Sequence, residues 1–128
     1  MLRRVLVVDE ECSPMVAGLR EQGFEVATAP NAECALVLLA ESTFDLAIVD
    51  LMLPRTNGMQ LARLLRERHP RMRVVLTSTY PLSEPQLRRS DCGAIGFVPK
   101  LLDPQALALF VEAKLDARPS RPYGGALA

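Results

Sequence analysis

Short apolar runs alternate along the chain with longer stretches in which apolar residues recur every three or four positions. The runs "RVLVV" (4–8), "FEVAT" (24–28), "LAIVD" (46–50), "VVLTS" (74–78) and "AIGFV" (94–98) are too short for free-standing helices. Their β-branched content predicts strands, and their near-continuous apolarity predicts strands covered on both faces. The intervening stretches read as helices. The first has a Ser13-Pro14 start, Val16 and Leu19 at helical spacing, and Gly23 as a stop. A second opens at Asn31 and runs to Ala40, and a third places Leu61, Leu64 and Leu65 on one face and ends before Pro70. The fourth is short, with Ser83 and Gln86 spaced as a capping box and Pro85 in its first turn, and the fifth starts at Asp103-Pro104 with Leu107, Phe110 and Val111 on one side. Five strand-helix units in succession predict one α/β domain: a doubly wound parallel sheet, helices on both faces, right-handed crossovers.

Composition narrows the function classes. A chain of 128 residues is one domain in size, expected over residues 1–117, with 118–128 a Pro- and Gly-rich disordered tail or linker stub. Fifteen basic and fifteen acidic residues cancel, so no broad field argues for nucleic acid or an anionic membrane surface. Cys12, Cys34 and Cys92 have no metal-ligand spacing and read as free thiols of a reducing compartment. No signal-peptide core or bilayer-length apolar stretch is present, so the chain is expected to be soluble and cytoplasmic.

The strand ends carry the candidate chemistry. In a parallel sheet all carboxyl ends lie on one edge, where open α/β sheets bind ligands. The first strand ends with Asp9, Glu10 and Glu11, the third with Asp50, the fourth with Thr77, Ser78 and Thr79, and the fifth with Lys100, whereas the second ends blandly in Thr28-Ala29-Pro30. Pro54 and the Asn57-Gly58 pair read as punctuators that turn the chain after Asp50, which is expected to be exposed at that turn. Carboxylates about 5 Å apart repel by about 3 kcal/mol at an effective dielectric near 20, so a cation is needed, and all-oxygen ligation favours Mg²⁺. Asp50 is then placed to attack phosphorus, with Lys100 and the Thr77 hydroxyl neutralising the phosphoryl oxygens.

"VLVVDEE", "DLAIVDLMLPRTNG", "VVLTSTY" and "GFVPK", in this order and spacing, resemble the receiver domain of two-component response regulators over roughly residues 3–116. The resemblance implies a flavodoxin-like (βα)5 fold with strand order 2-1-3-4-5, as in chemotaxis receivers. It implies Asp9 and Glu10 as the acidic metal pair, Asp50 as phosphoacceptor, the backbone carbonyl of Met52 as a further Mg²⁺ ligand, Thr77 as switch hydroxyl, Phe97 as switch aromatic and Lys100 as the phosphate-contacting lysine. The implied partners are a sensor histidine kinase or phosphotransfer protein and a downstream protein. The downstream protein is met on the face of the fourth helix, fifth strand and fifth helix, with Arg88, Arg89 and the helix from Asp103 as contacts. The implied state is a monomer or phosphorylation-dependent dimer, not a classical enzyme, and without direct nucleic-acid or membrane contact. Two positions depart from the common pattern: Leu101 stands where many receivers have a cis proline, so a trans bond is expected, and Phe97 has no phenolic hydroxyl, so its switching must run on packing alone.

Competing readings are weaker. A haloacid-dehalogenase-like phosphatase wants a second aspartate where Met52 stands. A nucleotide site wants a glycine-rich first turn where this chain is acidic. A degenerate receiver acting without phosphorylation, or the N-terminal receiver of a larger DNA-binding regulator, stays open as an alternative. His69, beside Pro70 at an arginine-rich helix end, reads as a solvated helix terminus and not a phosphorelay histidine.

Overall fold

The computed structural model describes residues 3–11, 13–79, 82–100 and 102–116. Cys12, the bond preceding Leu101 and the 118–128 tail therefore lie outside the described residues. In chain order the elements are β1 (Arg4–Val8), α1 (Ser13–Glu21), β2 (Glu25–Ala29), α2 (Ala32–Glu41), β3 (Leu46–Asp50), β4 (Met52–Leu53), β5 (Thr56–Asn57), α3 (Gly58–Arg68), β6 (Arg73–Ser78), α4 (Glu84–Ser90), β7 (Gly96–Pro99) and α5 (Pro104–Asp116). The main sheet is fully parallel, in the order β2-β1-β3-β6-β7.

The chain thus departs from the simple five-unit alternation. The turn after β3 folds into an antiparallel pair, Met52 opposite Asn57 and Leu53 opposite Thr56, so the fourth and fifth strands of the main sheet are β6 and β7. Pro54 and a left-handed Arg55 (φ 64°) make the reversal, and Arg55 then reaches Glu33 of α2 at 3.2 Å. A non-glycine residue held at positive φ costs about 1–2 kcal/mol. Arg55→Gly is therefore expected to be more stable than Arg55→Ala by about 1 kcal/mol in urea unfolding, because both lose the ion pair and only glycine relieves the backbone. Equal midpoints for the two variants would show that the turn carries no such strain.

Two strands also start later than the sequence pattern suggests. Phe24 is spent closing α1, its N–H donating to the Leu19 carbonyl, so β2 begins at Glu25. The last strand begins at Gly96 instead of Ala94, because Asp91 and Gly93 both lie at positive φ and hold the chain in a turn. Pro99, which has no N–H to give a neighbour, is tolerated because β7 is an edge strand.

Strict alternation along the strands builds two cores. Leu6, Val8, Ala47, Val49, Val74 and Leu76 pack with α2 and α3 on one face, and Val5, Val7, Leu46, Ile48, Val75 and Val98 pack with α1 and α5 on the other. Both faces are covered, which is why the runs read as continuously apolar. Helix starts follow their caps: Asn31 Oδ1 accepts from the Cys34 N–H, and Ser83 and Gln86 form a reciprocal capping box at α4. Asn57 and Gly58 are the exception to the expected reading. Asn57 caps α3 in a capping box with Gln60, and Gly58 is the first helical residue. Of the described cysteines, Cys34 is exposed and Cys92 buried, and both are free thiols. His69 is the C-cap of α3 and half-buried, not fully solvated. Among the described residues no helix is long and apolar enough to cross a membrane.

Candidate functional site

Strand parity brings the polar strand ends together. Asp9 continues the Val5-Val7 row of β1, Asp50 the Leu46-Ile48 row of β3, Thr77 follows Val75 in β6, and Lys100 lies two residues beyond Val98 of β7. All four therefore leave the carboxyl edge on the α1/α5 side. Val8 is opposite Val49, and Asp50 is opposite Thr77, so Asp9, Asp50 and Thr77 stand on neighbouring strands about 4.8 Å apart.

Asp50 is not exposed as expected: it is 3% accessible, and Asp9 likewise 3%. The cause is the lysine that folds over them. Lys100 Nζ donates to Asp50 Oδ2 at 2.8 Å and to Asp9 Oδ1 at 3.2 Å, bridging both carboxylates with its stem mostly covered. The remaining oxygen of Asp50, Oδ1, accepts from the Met52 N–H at 3.0 Å, and Asp9 Oδ1 also accepts from the Glu11 N–H at 3.0 Å. Burial disfavours the ammonium, but its hydrogen bonds and charge attraction to Asp50 and Asp9 outweigh that, so the Lys100 pKa lies above the ordinary lysine value. Met52's amide and Gly58 are positions in contact with Asp50 that residue-type reasoning misses. The Gly58 N–H donates to the Leu51 carbonyl at 2.8 Å, and a side chain at position 58 would run into the Asp50 carbonyl. The Asn57-to-Gln60 capping-box spacing was the available signal that α3 starts directly against the Asp50 loop.

Other expected participants stand apart. Glu10 is exposed, and among the described residues no three His, Cys, Asp or Glu side chains converge in a form that could hold a metal. The Met52 side chain is 70% exposed beside Asp50. The Thr77 hydroxyl is fully buried and donates to the Val98 carbonyl at 2.7 Å, so its hydrogen is committed to β7 and not to Asp50. Phe97 is half-buried against the α2/α3-side core, the sheet face opposite to that of Val75 and Thr77. The structure joins Asp9, Asp50 and Lys100 and does not join Thr77 with Phe97.

The donor set fits Mg²⁺. Two buried carboxylates share one ammonium, leaving a net negative, all-oxygen corner, and Mg²⁺ binds with one or two carboxylates while keeping several waters. A third converging carboxylate is not required for that mode.

Comparison with known proteins agrees with this geometry. Residues 5–112 match the family described as the response regulator receiver domain. The chain is 31% identical over 118 residues to the alginate biosynthesis transcriptional regulatory protein AlgB of Pseudomonas aeruginosa, covering 90% of this chain and 26% of that protein. It is 30% identical over 117 residues to the regulatory protein AtoC of Escherichia coli, covering 89% and 25%. The chain thus spans about a quarter of the length of these curated relatives. Among solved structures, a CheY-like receiver domain protein of Methanospirillum hungatei superposes with a TM-score of 0.79 at 27% identity over 91% of this chain and 95% of that one. NtrX of Brucella abortus does so with a TM-score of 0.80 at 30% identity over 91% of this chain and 27% of that one. With the family matched across nearly the whole described fold and Asp9, Asp50 and Lys100 assembled at one sheet edge, this chain belongs to the response regulator receiver domains.

Proposed function

We propose that Asp50 accepts a phosphoryl group from the phosphohistidine of a sensor histidine kinase or phosphotransfer protein, and that the adduct switches a protein-binding face. The observation that carries this reading is the Asp50 carboxylate itself, buried yet held at both oxygens, by the Met52 amide and by Lys100. A carboxylate oxygen of Asp50 attacks phosphorus, the phosphorus–nitrogen bond to the donor imidazole breaks, and that nitrogen leaves with the bond's electron pair and takes up a proton. Lys100, already on Oδ2, is placed to follow the charge onto the phosphoryl oxygens without reorganising. Asp9, Asp50 and the Met52 carbonyl would hold Mg²⁺, with Glu10 reaching it through water. When bound, the ion supplies further neutralisation of the phosphoryl charge.

The switch residues follow from what the new charge can pull. Thr77 must release the Val98 carbonyl to donate to the phosphoryl group, which loosens β6 from the edge strand β7. The affected surface is the α4-β7-α5 face, where Phe110 and Lys114 of α5 lie against Gly96 of β7 and Arg89 of α4 is exposed. This face is the proposed contact for the downstream protein. The regulatory character of AlgB and AtoC favours an output in gene control, reached through that protein contact. Incubation with acetyl phosphate and Mg²⁺ should add one labile phosphoryl group by intact-mass analysis. The adduct should be absent from Asp50→Asn and in chelator. An adduct that persists in Asp50→Asn, or none with any phosphodonor, would refute the assignment.

A further inference from the structure

We propose that a pocket at the amino-terminal edge of the sheet, the edge opposite Asp50, binds a small organic acid: a carboxylate carried on a compact apolar body. The pocket has a volume of about 300 Å³ and lies between the α2-β3 and α3-β6 connections. Leu39, Phe44 and Met72 of the α2/α3-side core line it, each with a little of its surface still open, whereas Ala35, Ala47 and Leu65 of the same core are closed completely. The rest of the lining is Thr43, His69, Pro70 and Arg71, with no Asp or Glu. An apolar cavity with a few convergent polar groups is the usual form of a small-molecule site. At protein packing density this one has room for about a dozen non-hydrogen atoms.

The walls are fixed before any ligand arrives. Arg4 N–H donates to Asp45 Oδ2 at 2.8 Å, Arg4 Nη1 donates to the Thr43 carbonyl at 2.6 Å, and the Arg4 guanidinium lies 4.8 Å from the centroid of the Phe44 ring. Across the pocket, the Met72 N–H donates to the His69 carbonyl at 3.0 Å and closes the turn around Pro70, and the Arg73 N–H, donating to the Asp45 carbonyl at 3.2 Å, ties the two connections together. Charge then decides the class of ligand. The segment "RERHPRMR" (66–73) sets four arginines and a histidine against one glutamate, in a chain whose formal net charge is zero. Arg66 pairs with Asp91, but Arg71 is exposed at the pocket, and among the described residues its guanidinium has no ion-pair or hydrogen-bond partner. Glu41 lines an adjoining groove that shares Leu39 and Thr43 with the pocket and does not include Arg71. A ligand carboxylate is therefore drawn to Arg71, where a bidentate charge-assisted pair can form, and its body to Leu39, Phe44 and Met72. None of Asp9, Asp50 and Lys100 lines the pocket, and β3, five residues long, separates the two edges by about 13 Å, so the binding does not rest on the phosphorylation reading.

Titration of the unphosphorylated chain with 4-phenylbutyrate, an acid of the right size, and with its neutral amide 4-phenylbutyramide tests this by NMR chemical shifts. With the acid, saturable shift changes should cluster at residues 39, 43–44 and 69–72, with a dissociation constant of about 0.1–1 mM, and should spare Asp9, Asp50 and Lys100. The amide should bind about tenfold more weakly, because only the acid forms a charge-assisted pair with Arg71. Arg71→Gln changes an exposed side chain and leaves the core intact. It should weaken the acid about tenfold and the amide by less than about twofold. Arg68→Gln, which removes an exposed arginine of the same segment that does not line the pocket, should leave the acid's affinity at the parent value. Absence of saturable changes at these residues, equal affinity for acid and amide, or equal weakening by Arg68→Gln overturns the proposal. Saturable changes centred on Asp50 and Lys100 would place the acid at the opposite edge and overturn it as well.

Discussion

Lys100→Met is expected to melt roughly 10 °C below the parent at neutral pH in chelator, and to recover most of that loss when Mg²⁺ is added. Methionine keeps the stem but removes the cation that bridges two carboxylates each 3% accessible. Breaking a buried pair by deleting one partner costs about 3–5 kcal/mol, and the partial exposure of Lys100 lowers that to about 2–4 kcal/mol. A divalent ion can replace the missing charge, so Mg²⁺ should stabilise the variant by more than it stabilises the parent. The pH dependence has a definite sign. The folded pKa of Lys100 is raised above the unfolded value of 10.5, so its stabilisation is complete below that pH and is lost as pH rises through the folded value. The parent should therefore lose stability above pH 10.5 more steeply than Lys100→Met. Thermal melts by circular dichroism across that range decide it. Parallel curves, or a variant that Mg²⁺ stabilises no more than the parent, would show that Lys100 does not neutralise the pair.

Gly58→Ala is the second large effect, and it acts through backbone. A Cβ on residue 58 would meet the Asp50 carbonyl group and lie 2.8 Å from Leu51 Cα, atoms that cannot rotate aside as a side chain can. Either α3 backs away or the end of β3 bends. Overpacking of this kind costs about 1–3 kcal/mol, occasionally more. Because the strained atoms belong to Asp50, the proposed phosphoacceptor, and to Leu51 beside it, the rate of Asp50 phosphorylation by acetyl phosphate should fall by about 10²-fold in protein that is still folded by circular dichroism. A folded variant with the parent's rate would mean that the contact with α3 does not position Asp50.

Parts of both site and fold were legible in residue order. The alternation of strand and helix patterns located the elements of the main sheet to within two residues, because a two-sided parallel sheet writes its burial directly into continuous apolar runs. Capping residues were legible where a hydroxyl or amide precedes a helix, as at Asn31 and Ser83. Asn57-Gly58 was misread as a turn because the same dipeptide serves turns and helix starts, and only the Gln60 side chain returning to the cap distinguishes them. The β4-β5 pair escaped because two-residue strands have no period to read.

By itself the sequence determined that Asp9, Asp50, Thr77 and Lys100 end strands of one parallel sheet, since period-two alternation and strand direction are local properties that survive any packing of the helices. Tertiary structure decided what those residues do to one another. Whether Asp50 is open or covered depends on a lysine fifty residues away folding back over the edge, and the commitment of the Thr77 hydroxyl to Val98 depends on which strand lies next to β6. The seating of Gly58 on the Asp50 carbonyl, and the pocket that Phe44 and Met72 share at the opposite edge, are likewise contacts between elements. Such contacts are set by distances across the sheet and between helices, which residue order does not carry.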